Sequence, residues 1–201
     1  MNGIDAYLDR LASAGPTPGG GSAATLVGAF GAALCAMVAR ITAGNDRYGS
    51  VRAPALAIVA AADALRERFA AARPLDEAAY ERVVAASALP KVTDDEKRSR
   101  TAALQAALVG AAEAPLAAAG LCAEGIALAE RANALGNTHL ASDVECALHF
   151  FRAALAGSVA NVRINHHFIK DAAIVRAQEE RLVAIVEAAS GTLHQLLPAL
   201  P

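Results

Sequence analysis

The polar residues best placed to do chemistry share one face of a single predicted helix, over residues 142–170. Asp143 and Asn161 are eighteen residues apart, about five turns at 3.6 residues per turn, so their side chains point the same way. Asn165 extends this face by one turn. A carboxylate can transfer protons, and amides can hold the polar edge of a ligand. At 1.5 Å per residue the two ends lie about 27 Å apart, so a small molecule reaches both only if a second subunit supplies one of them.

Each of these residues also has a purely structural explanation. Asp143 is the second residue of the capping-box pattern at residues 142–145, where a carboxylate interacts favourably with the helix dipole. Asn161 and Asn165 would equally serve as buried amides that bond between helices. His166 and His167 are adjacent, and this spacing differs from the i,i+4 pair that holds zinc. We therefore predict no metal site.

Two further stretches could contribute to a site. Asp76 and Tyr80 are spaced i,i+4 on a shorter predicted helix, and Lys91 follows a proline in a loop, although a solvated surface would explain all three. Residues 16–22, PTPGGGS, contain two prolines and three glycines, so we expect a loop that is not helical. Backbone N–H groups there would hold an anion or a polar ligand edge, unless the glycines only form a tight turn. A nucleotide P-loop is disfavoured, because no lysine follows Gly21 and no strand precedes the loop.

The element that must position these residues is the helix after the loop. Residues 23–39 contain no charged side chain, and Gly28 and Gly31 allow neighbouring backbones to approach closely. This pattern predicts a buried central helix. Seventeen residues fall short of the roughly 20 that span a bilayer, so no membrane span is predicted.

The rest of the chain also has helical periodicity, and no stretch has the pattern of a strand. We expect an all-α, single-domain helical bundle over residues 1–201, built around the Ala/Gly-rich central helix. The first predicted helix carries Ile4, Leu8 and Leu11 and stops near Gly15 and Pro16. The others cover residues 54–73 with a break at Pro74, 75–88, 94–135 behind the capping box Thr93–Glu96 and with a kink at Pro115, 142–170, and 174–196.

Composition excludes several classes of function. The 201 residues are 55% hydrophobic but only 4% aromatic, and the net charge of −2 comes with no basic block. Nothing therefore predicts a nucleic acid or a membrane as partner. The three cysteines lie in apolar helical patterns without a C-x-x-C motif, and the acidic N-terminus does not resemble a signal peptide. These features predict a cytoplasmic protein with buried, reduced thiols.

Several of these motifs together resemble the cyclodeaminase/cyclohydrolase family, which includes formimidoyltetrahydrofolate cyclodeaminase and bacterial methenyltetrahydrofolate cyclohydrolase. The resemblance covers nearly the whole chain in order. The most specific block is PTPGGGSAA at residues 16–24. The others are Asp76-x-x-x-Tyr80 leading to Leu89-Pro90-Lys91-x-Thr93-x-x-Glu96-Lys97-x-x-Arg100, then Gly136-Asn137 with Ser142-Asp143, and Asn161-Val162-Arg163-Ile164-Asn165.

The resemblance implies a helical homodimer that binds a reduced folate and needs no metal and no cofactor beyond that substrate. It leaves two reactions open. Water could hydrolyse 5,10-methenyltetrahydrofolate to 10-formyltetrahydrofolate, or 5-formimidoyltetrahydrofolate could cyclise with loss of ammonia. Both pass through a tetrahedral carbon and need a proton donor and a proton acceptor.

The resemblance also suggests roles for individual residues. Asp143 is the first candidate for the catalytic carboxylate, and Asp76 is the second. Asn161 and Asn165 would bond the pterin or position water, the backbone of residues 19–22 would cradle the ligand, and Lys91 and Arg163 would meet the glutamate tail. The full set expected to bind substrate is Pro18, Gly19, Gly20, Gly21, Ser22, Lys91, Asn137, Asn161, Arg163 and Asn165.

We favour the cyclohydrolase reaction, because the chain has no room for a formiminotransferase module. The competing hypothesis is a folate-binding helical dimer without catalysis. Residues 45–47, Asn-Asp-Arg, keep that alternative open, because the family commonly has lysines before the tyrosine at this point. The presence of Asp143, Asn161 and Asn165 argues against it.

Overall fold

The computed structural model describes residues 3–197, which form six α-helices around a main hydrophobic core, with a second small cluster at Leu108, Ala112 and Ile169. The helices are α1 (Gly3–Leu11), α2 (Gly20–Ala43), α3 (Arg52–Ser87), α4 (Asp94–Asn133), α5 (Ala141–His166) and α6 (Ala172–Leu196), with 3-10 turns at Asp46–Val51 and Thr138–Leu140. No strand occurs within residues 3–197, so the all-α prediction is confirmed. Residues 1, 2 and 198–201, which the single-domain prediction includes, lie outside the described residues.

The central helix α2 packs against α3, α4 and α5. Its glycines allow this close packing, because two buried aromatic rings occupy the space where their side chains would be. A Cβ on Gly28 would lie 2.6 Å from Cζ of Phe69, and one on Gly31 would lie 2.9 Å from Cζ of Phe151. Both rings are fully buried and stack with their centroids 6.3 Å apart. The prediction of a buried Ala/Gly-rich central helix is confirmed.

Two helices are long and apolar enough to cross a membrane by length and composition, Gly20–Ala43 and Asp94–Asn133. In the fold, 56% and 50% of their apolar windows are buried inside the protein. The core helices of a soluble bundle pass the same test. The absence of a membrane partner therefore stays a prediction.

The glycine loop and Pro74 both differ from expectation. The loop was expected to be non-helical through Ser22, but α2 begins at Gly20. Pro74 was expected to break the chain into two helices, but α3 continues through it to Ser87. A proline removes a single backbone hydrogen bond, and burial of Phe69 before it and Ala79 after it holds both halves of α3 against the core.

Of the two predicted capping boxes, one is confirmed and one is wrong. The Thr93 hydroxyl accepts the Glu96 N–H, and the Glu96 carboxylate accepts the Thr93 N–H. At the second capping box, at residues 142–145, the 3-10 turn at residues 138–140 leads directly into a helix that starts at Ala141. Ser142 therefore lies inside this helix and caps nothing.

Helix α5 ends at His166, not at Lys170 as predicted. Gln105 from α4 bonds the Phe168 carbonyl and the Lys170 N–H, which holds this segment outside the helix.

The cysteines are free thiols in two environments. Cys35 and Cys122 are buried, and burial raises the pKa of each thiol to about 12. Both are therefore protonated core residues at neutral pH. Cys146 was also expected to be buried, but it is exposed on α5, because that side of α5 faces away from the core.

We expect Gly125→Ala to destabilise the protein by about 1–3 kcal/mol, because the new methyl group would overpack the core. The added Cβ would lie 2.5 Å from Cζ of the buried Phe151 ring. Gly120→Ala on the same helix is the control, since a Cβ there meets nothing within 4 Å. It should stabilise by about 0.5–1 kcal/mol. Urea denaturation measures both, and equal effects would contradict this account of the core.

Candidate functional site

One cavity, of about 360 Å3, brings together several of the residues that the sequence singled out. It lies where the glycine loop and the first turn of α2 meet α3, α4 and α5. Its lining residues are Pro16, Thr17, Gly19, Gly20, Gly21, Asp76, Glu77, Tyr80, Val83, Leu108, Ala111, Asn161, Ile164, Asn165 and Phe168. The apolar walls come mainly from α4 and the C-terminal part of α5, and the polar groups converge from α2, α3 and α5.

Asp76 packs directly on the first turn of α2. A Cβ on Gly21 would lie 2.6 Å from Cγ of Asp76, so only glycine leaves room for this carboxylate. The Ser22 N–H hydrogen-bonds Asp76. The first N–H groups of a helix have no partner within it and carry positive partial charge, so the start of α2 is a favourable place for an anionic or acceptor group.

The environment of Asp76 favours its protonated form. Burial raises the pKa of this carboxyl above its usual value, and the neighbouring charge of Glu77 raises it further, against the opposing effect of the Ser22 N–H. A carboxyl group with a raised pKa in a cavity can serve as a proton donor near neutral pH. Asp76 is thus the carboxyl of the site whose surroundings suit acid catalysis.

Glu77 is a second carboxylate in the cavity, and the sequence did not predict it there. The hydroxyl of Ser22 donates a 2.8 Å hydrogen bond to its Oε1 atom, and the Tyr7 hydroxyl lies 3.0 Å from the Ser22 oxygen. Consecutive helical residues point about 100° apart, so a residue next to Asp76 is not expected to share its site. Both reach the cavity because α3 presents this edge to the start of α2. The only sequence signal was the adjacent pair of acids.

Asn161 and Asn165 line the opposite side of the cavity from α5. The Asn161 amide donates to the Gly157 carbonyl at 2.8 Å, and a Cβ on Gly20 would lie 3.3 Å from its nitrogen. The Asn165 amide donates to the carbonyls of Asn161 and Ala111 at 2.8 and 3.1 Å. Neither side-chain oxygen accepts a hydrogen bond from any residue in the 3–197 range, so both remain available to a ligand.

The polar groups of the cavity include several strong acceptors. Two carboxyl groups and two amide oxygens surround the space, while the donors are the backbone N–H groups at the start of α2, the remaining amide hydrogen of Asn161 and the hydroxyls of Thr17 and Tyr80. Such a site complements a ligand that presents N–H donors or a delocalised positive charge. The exposed rings of Tyr80 and Phe168 at the same cavity offer flat surfaces to an aromatic ligand.

The other predicted site residues lie outside this cavity. Pro18 and Ser22 are buried behind its wall. Lys91 is exposed in the loop between α3 and α4, and Arg163 is paired with Glu179 at 3.0 Å. Their proposed contact with a glutamate tail stays a prediction.

Asn137 and Asp143 lie at the opposite end of α5. The Asn137 side chain donates to Thr42 at 2.9 Å and accepts from the Tyr48 hydroxyl at 3.2 Å. Asp143 is half-buried in the first turn of α5 and bonds no side chain of the described residues. Within one subunit it lies about 27 Å along the helix from Asn161, so these two residues do not form one site in a single chain.

A larger groove, of about 660 Å3, runs along the outer face of α6. Both signs of charge line it, and Glu179 there is paired with Arg163 and approaches His166 at 3.5 Å. The groove is open to solvent, and no set of carboxyl and amide groups from the described residues converges in it. The smaller cavity, where carboxyls and amides converge, is therefore the candidate site.

The fold and the cavity define a class, an all-helical protein with a carboxyl- and amide-lined site at the start of its central helix. Residues 3–184 match the model of the formiminotransferase-cyclodeaminase family. The chain belongs to that family.

Individual relatives agree with this assignment. The chain is 37% identical, over 96% of its length and 92% of the relative's, to a methenyltetrahydrofolate cyclohydrolase of Methylorubrum extorquens. It is 28% identical to a formimidoyltransferase-cyclodeaminase of Sus scrofa and spans 34% of that longer protein. A crystal structure of formiminotetrahydrofolate cyclodeaminase from Thermotoga maritima matches 96% of the chain, with 28% identity and a TM-score of 0.86. The family that the sequence motifs indicated is confirmed.

We expect Asp76→Asn to stabilise the folded protein at neutral pH. Because the pKa of Asp76 is raised in the folded state, its contribution to stability is present at low pH and is lost as pH rises through that pKa. Asparagine keeps the acceptor for the Ser22 N–H and removes the buried charge. The urea midpoint of the variant should exceed that of the wild type at neutral pH, and the difference should shrink toward about pH 4. A difference independent of pH would contradict the assignment.

Proposed function

We propose that the protein hydrolyses 5,10-methenyltetrahydrofolate to 10-formyltetrahydrofolate. The observation that carries the proposal is the cavity, in which two carboxyls and two amide oxygens surround a space beside two exposed aromatic rings. The methenyl carbon carries a positive charge shared with two nitrogens, and an acceptor-rich cavity stabilises such a cation. The 37% identity to a cyclohydrolase, over nearly the full length of both chains, supports the same reaction.

In the proposed reaction, water attacks the methenyl carbon and loses one proton to a base. The tetrahedral intermediate then collapses, the bond from carbon to N5 breaks, N5 gains a proton and the hydroxyl loses one. Asp76, with its raised pKa, suits the role of the group that donates to N5 and recovers the hydroxyl proton. Asn161 and Asn165 would orient the water or the pterin through their unused oxygens.

We also propose that the protein acts as a homodimer whose sites lie between subunits. One apolar surface, which we call the α2–α5 face, contains no charged residue. Its exposed or half-buried members are Phe30, Ala33, Met37 and Ile41 on α2, and Cys146, Phe150, Ala153, Gly157, Ala160 and Ile164 on α5. The rings of Phe30 and Phe150 join the two rows, with centroids 6.4 Å apart. A second copy of this chain is the occupant that we propose for the face.

Two features favour a second copy over another partner. Ile164 belongs both to the α2–α5 face and to the cavity wall, so a subunit on this face would also border the cavity. Asp143 and Asn161 lie nine residues on either side of Arg152. A two-fold axis that passes α5 near Arg152 would make the two α5 helices antiparallel and place Asp143 of the partner subunit beside Asn161. The partner would then supply the carboxylate that a single chain places too far away.

The same proposal includes a reduced folate as substrate, no metal, no further cofactor, no nucleic acid or membrane partner, and a cytoplasmic location. The protonated buried thiols and the modest net charge of −2 are compatible with it.

We expect purified protein to accelerate the loss of the near-ultraviolet absorbance of 5,10-methenyltetrahydrofolate over spontaneous hydrolysis. Asp76→Asn should lower kcat by about 10²-fold or more, because it removes a proton donor. Asp9→Asn, an exposed aspartate of α1 outside the cavity, is the control and should retain activity. No acceleration by the wild type would overturn the cyclohydrolase proposal. Ammonia release from 5-formimidoyltetrahydrofolate would then identify the cyclodeaminase reaction, and folate binding without either would indicate a non-catalytic protein.

Mixing two inactive variants tests the shared site. We expect Asp143→Asn alone to fold normally and to lose turnover, as Asp76→Asn does. When the two variants are unfolded and refolded together, half of the dimers are mixed and each mixed dimer contains one intact site. Activity should therefore recover to about one quarter of the wild-type value. Analytical ultracentrifugation checks that the mixture is dimeric. If activity stays absent after mixing, or if the protein is monomeric, the shared site is wrong.

A further inference from the structure

A chain of hydrogen bonds leads from α1 to the cavity and ends on Glu77. Ser22 is completely buried, and its hydroxyl donates to Glu77 Oε1 at 2.8 Å. Because a serine hydroxyl has a single hydrogen, the 3.0 Å contact with Tyr7 must use the tyrosine as donor. The order is thus Tyr7 to Ser22 to Glu77, and each donor points toward the carboxylate.

Tyr7 is fixed for this contact. It is the buried residue of α1, with 3% of its surface exposed. The guanidinium groups of Arg10 and Arg73 lie over its ring, 5.9 and 5.3 Å from the centroid. Neither arginine makes a salt bridge with Glu77 among the described residues. The ring is therefore held by packing and by cation–π contacts, and the hydroxyl is left to bond Ser22.

Ser22 connects the two carboxyls of the site. Its N–H bonds Asp76 and its hydroxyl bonds Glu77, so the first turn of α2 holds both acids at once. A donated hydrogen bond favours the ionised form of an acid. Glu77 accepts its hydrogen bond from the Tyr7–Ser22 chain, whereas burial raises the pKa of Asp76. The hydrogen bond to Glu77 suits it to accept a proton, and the raised pKa of Asp76 suits that carboxyl to donate one.

We propose that Glu77 is the carboxylate that accepts a proton from the attacking water, and that Tyr7 and Ser22 are positioning residues that hold it for this step. This inference rests on the proposed function. As water attacks, the new bond forms between its oxygen and the methenyl carbon, and its proton passes to Glu77 Oε2 and then to solvent. The charge balance is that of the overall reaction, in which a cationic substrate and water give a neutral product and one released proton.

Charged groups near Glu77 come from α1 and from its own helix. Tyr7 and Arg10 belong to α1, Arg73, Asp76 and Tyr80 belong to α3, and Glu81 lies one turn further along α3. The cavity residues on α4 and α5, Leu108, Ala111, Asn161, Ile164 and Asn165, do not titrate. A change in the chain from Tyr7 should therefore be detectable as a change in the titration of Glu77.

The first test is Tyr7→Phe, which keeps the ring and removes only the hydroxyl. We expect kcat to fall by about tenfold with KM within about twofold, because a positioned base contributes through kcat. The acidic limb of the kcat profile should move to higher pH, since the ionised form of Glu77 loses support. A lower melting temperature with an unmoved limb would mean a merely structural role and would overturn the inference.

A second pair of variants guards against general effects of losing a buried hydroxyl. Ser22→Ala should lower kcat and move the same limb at least as far as Tyr7→Phe. Ser158→Ala is the matched control, because Ser158 is equally buried but bonds Cys122 in the core, away from the cavity. Equal effects of the two alanine variants on kcat and on the limb would count against the chain.

A measurement without turnover separates this inference from the proposed function. Carbon-13 carboxyl NMR of the free protein, with Glu77 assigned through Glu77→Gln, should show a higher titration midpoint for Glu77 in Tyr7→Phe. If the wild type fails to turn over methenyltetrahydrofolate but the midpoint moves, the proposed function is wrong and the chain to Glu77 stands. An unmoved midpoint in an active enzyme would overturn the chain alone.

Discussion

The structure depends on helix α2 having glycines and other small residues where its neighbours approach. The rings of Phe69 and Phe151 occupy the space that side chains on Gly28 and Gly31 would fill, and the Asp76 carboxylate occupies the space beside Gly21. The glycines of α2 therefore allow both the close packing of the core and the approach of Asp76 to the site. The glycines serve close approach and not an unusual backbone, because within residues 3–197 the residue with positive φ is Gly136.

The start of α2 is where packing and chemistry meet. Helix N–H groups without partners attract acceptors. Here the first turn of α2 meets two adjacent carboxyl groups of α3, those of Asp76 and Glu77, and their surroundings differ. Asp76 is buried against glycine, which raises its pKa. Glu77 receives the Ser22 hydroxyl. Two adjacent carboxyl groups of one helix therefore have different surroundings, which suits them to separate roles in an acid–base reaction.

The lack of charge over residues 23–39 of α2 has a second consequence, on the side that the bundle does not cover. There, Phe30 and Ile41 remain 39% and 48% exposed, beside the equally apolar surface of α5. A second subunit on this face would complete the cavity at Ile164 and bring in the Asp143 that one chain holds at the wrong end. The small, uncharged residues of α2 would then contribute to the core, to the site and to the dimer interface.

The sequence by itself determined the helical class, the central helix, the capping box at Thr93 and the family, because these follow from local composition, spacing and motif order. It also identified Asp76, Asn161 and Asn165, but it could not place them in one cavity. Only the tertiary structure decided that the helix continues through Pro74, that Ser142 caps nothing, and that Glu77 joins the site through Tyr7. These outcomes depend on contacts between residues far apart in the chain, where packing outweighs local propensity.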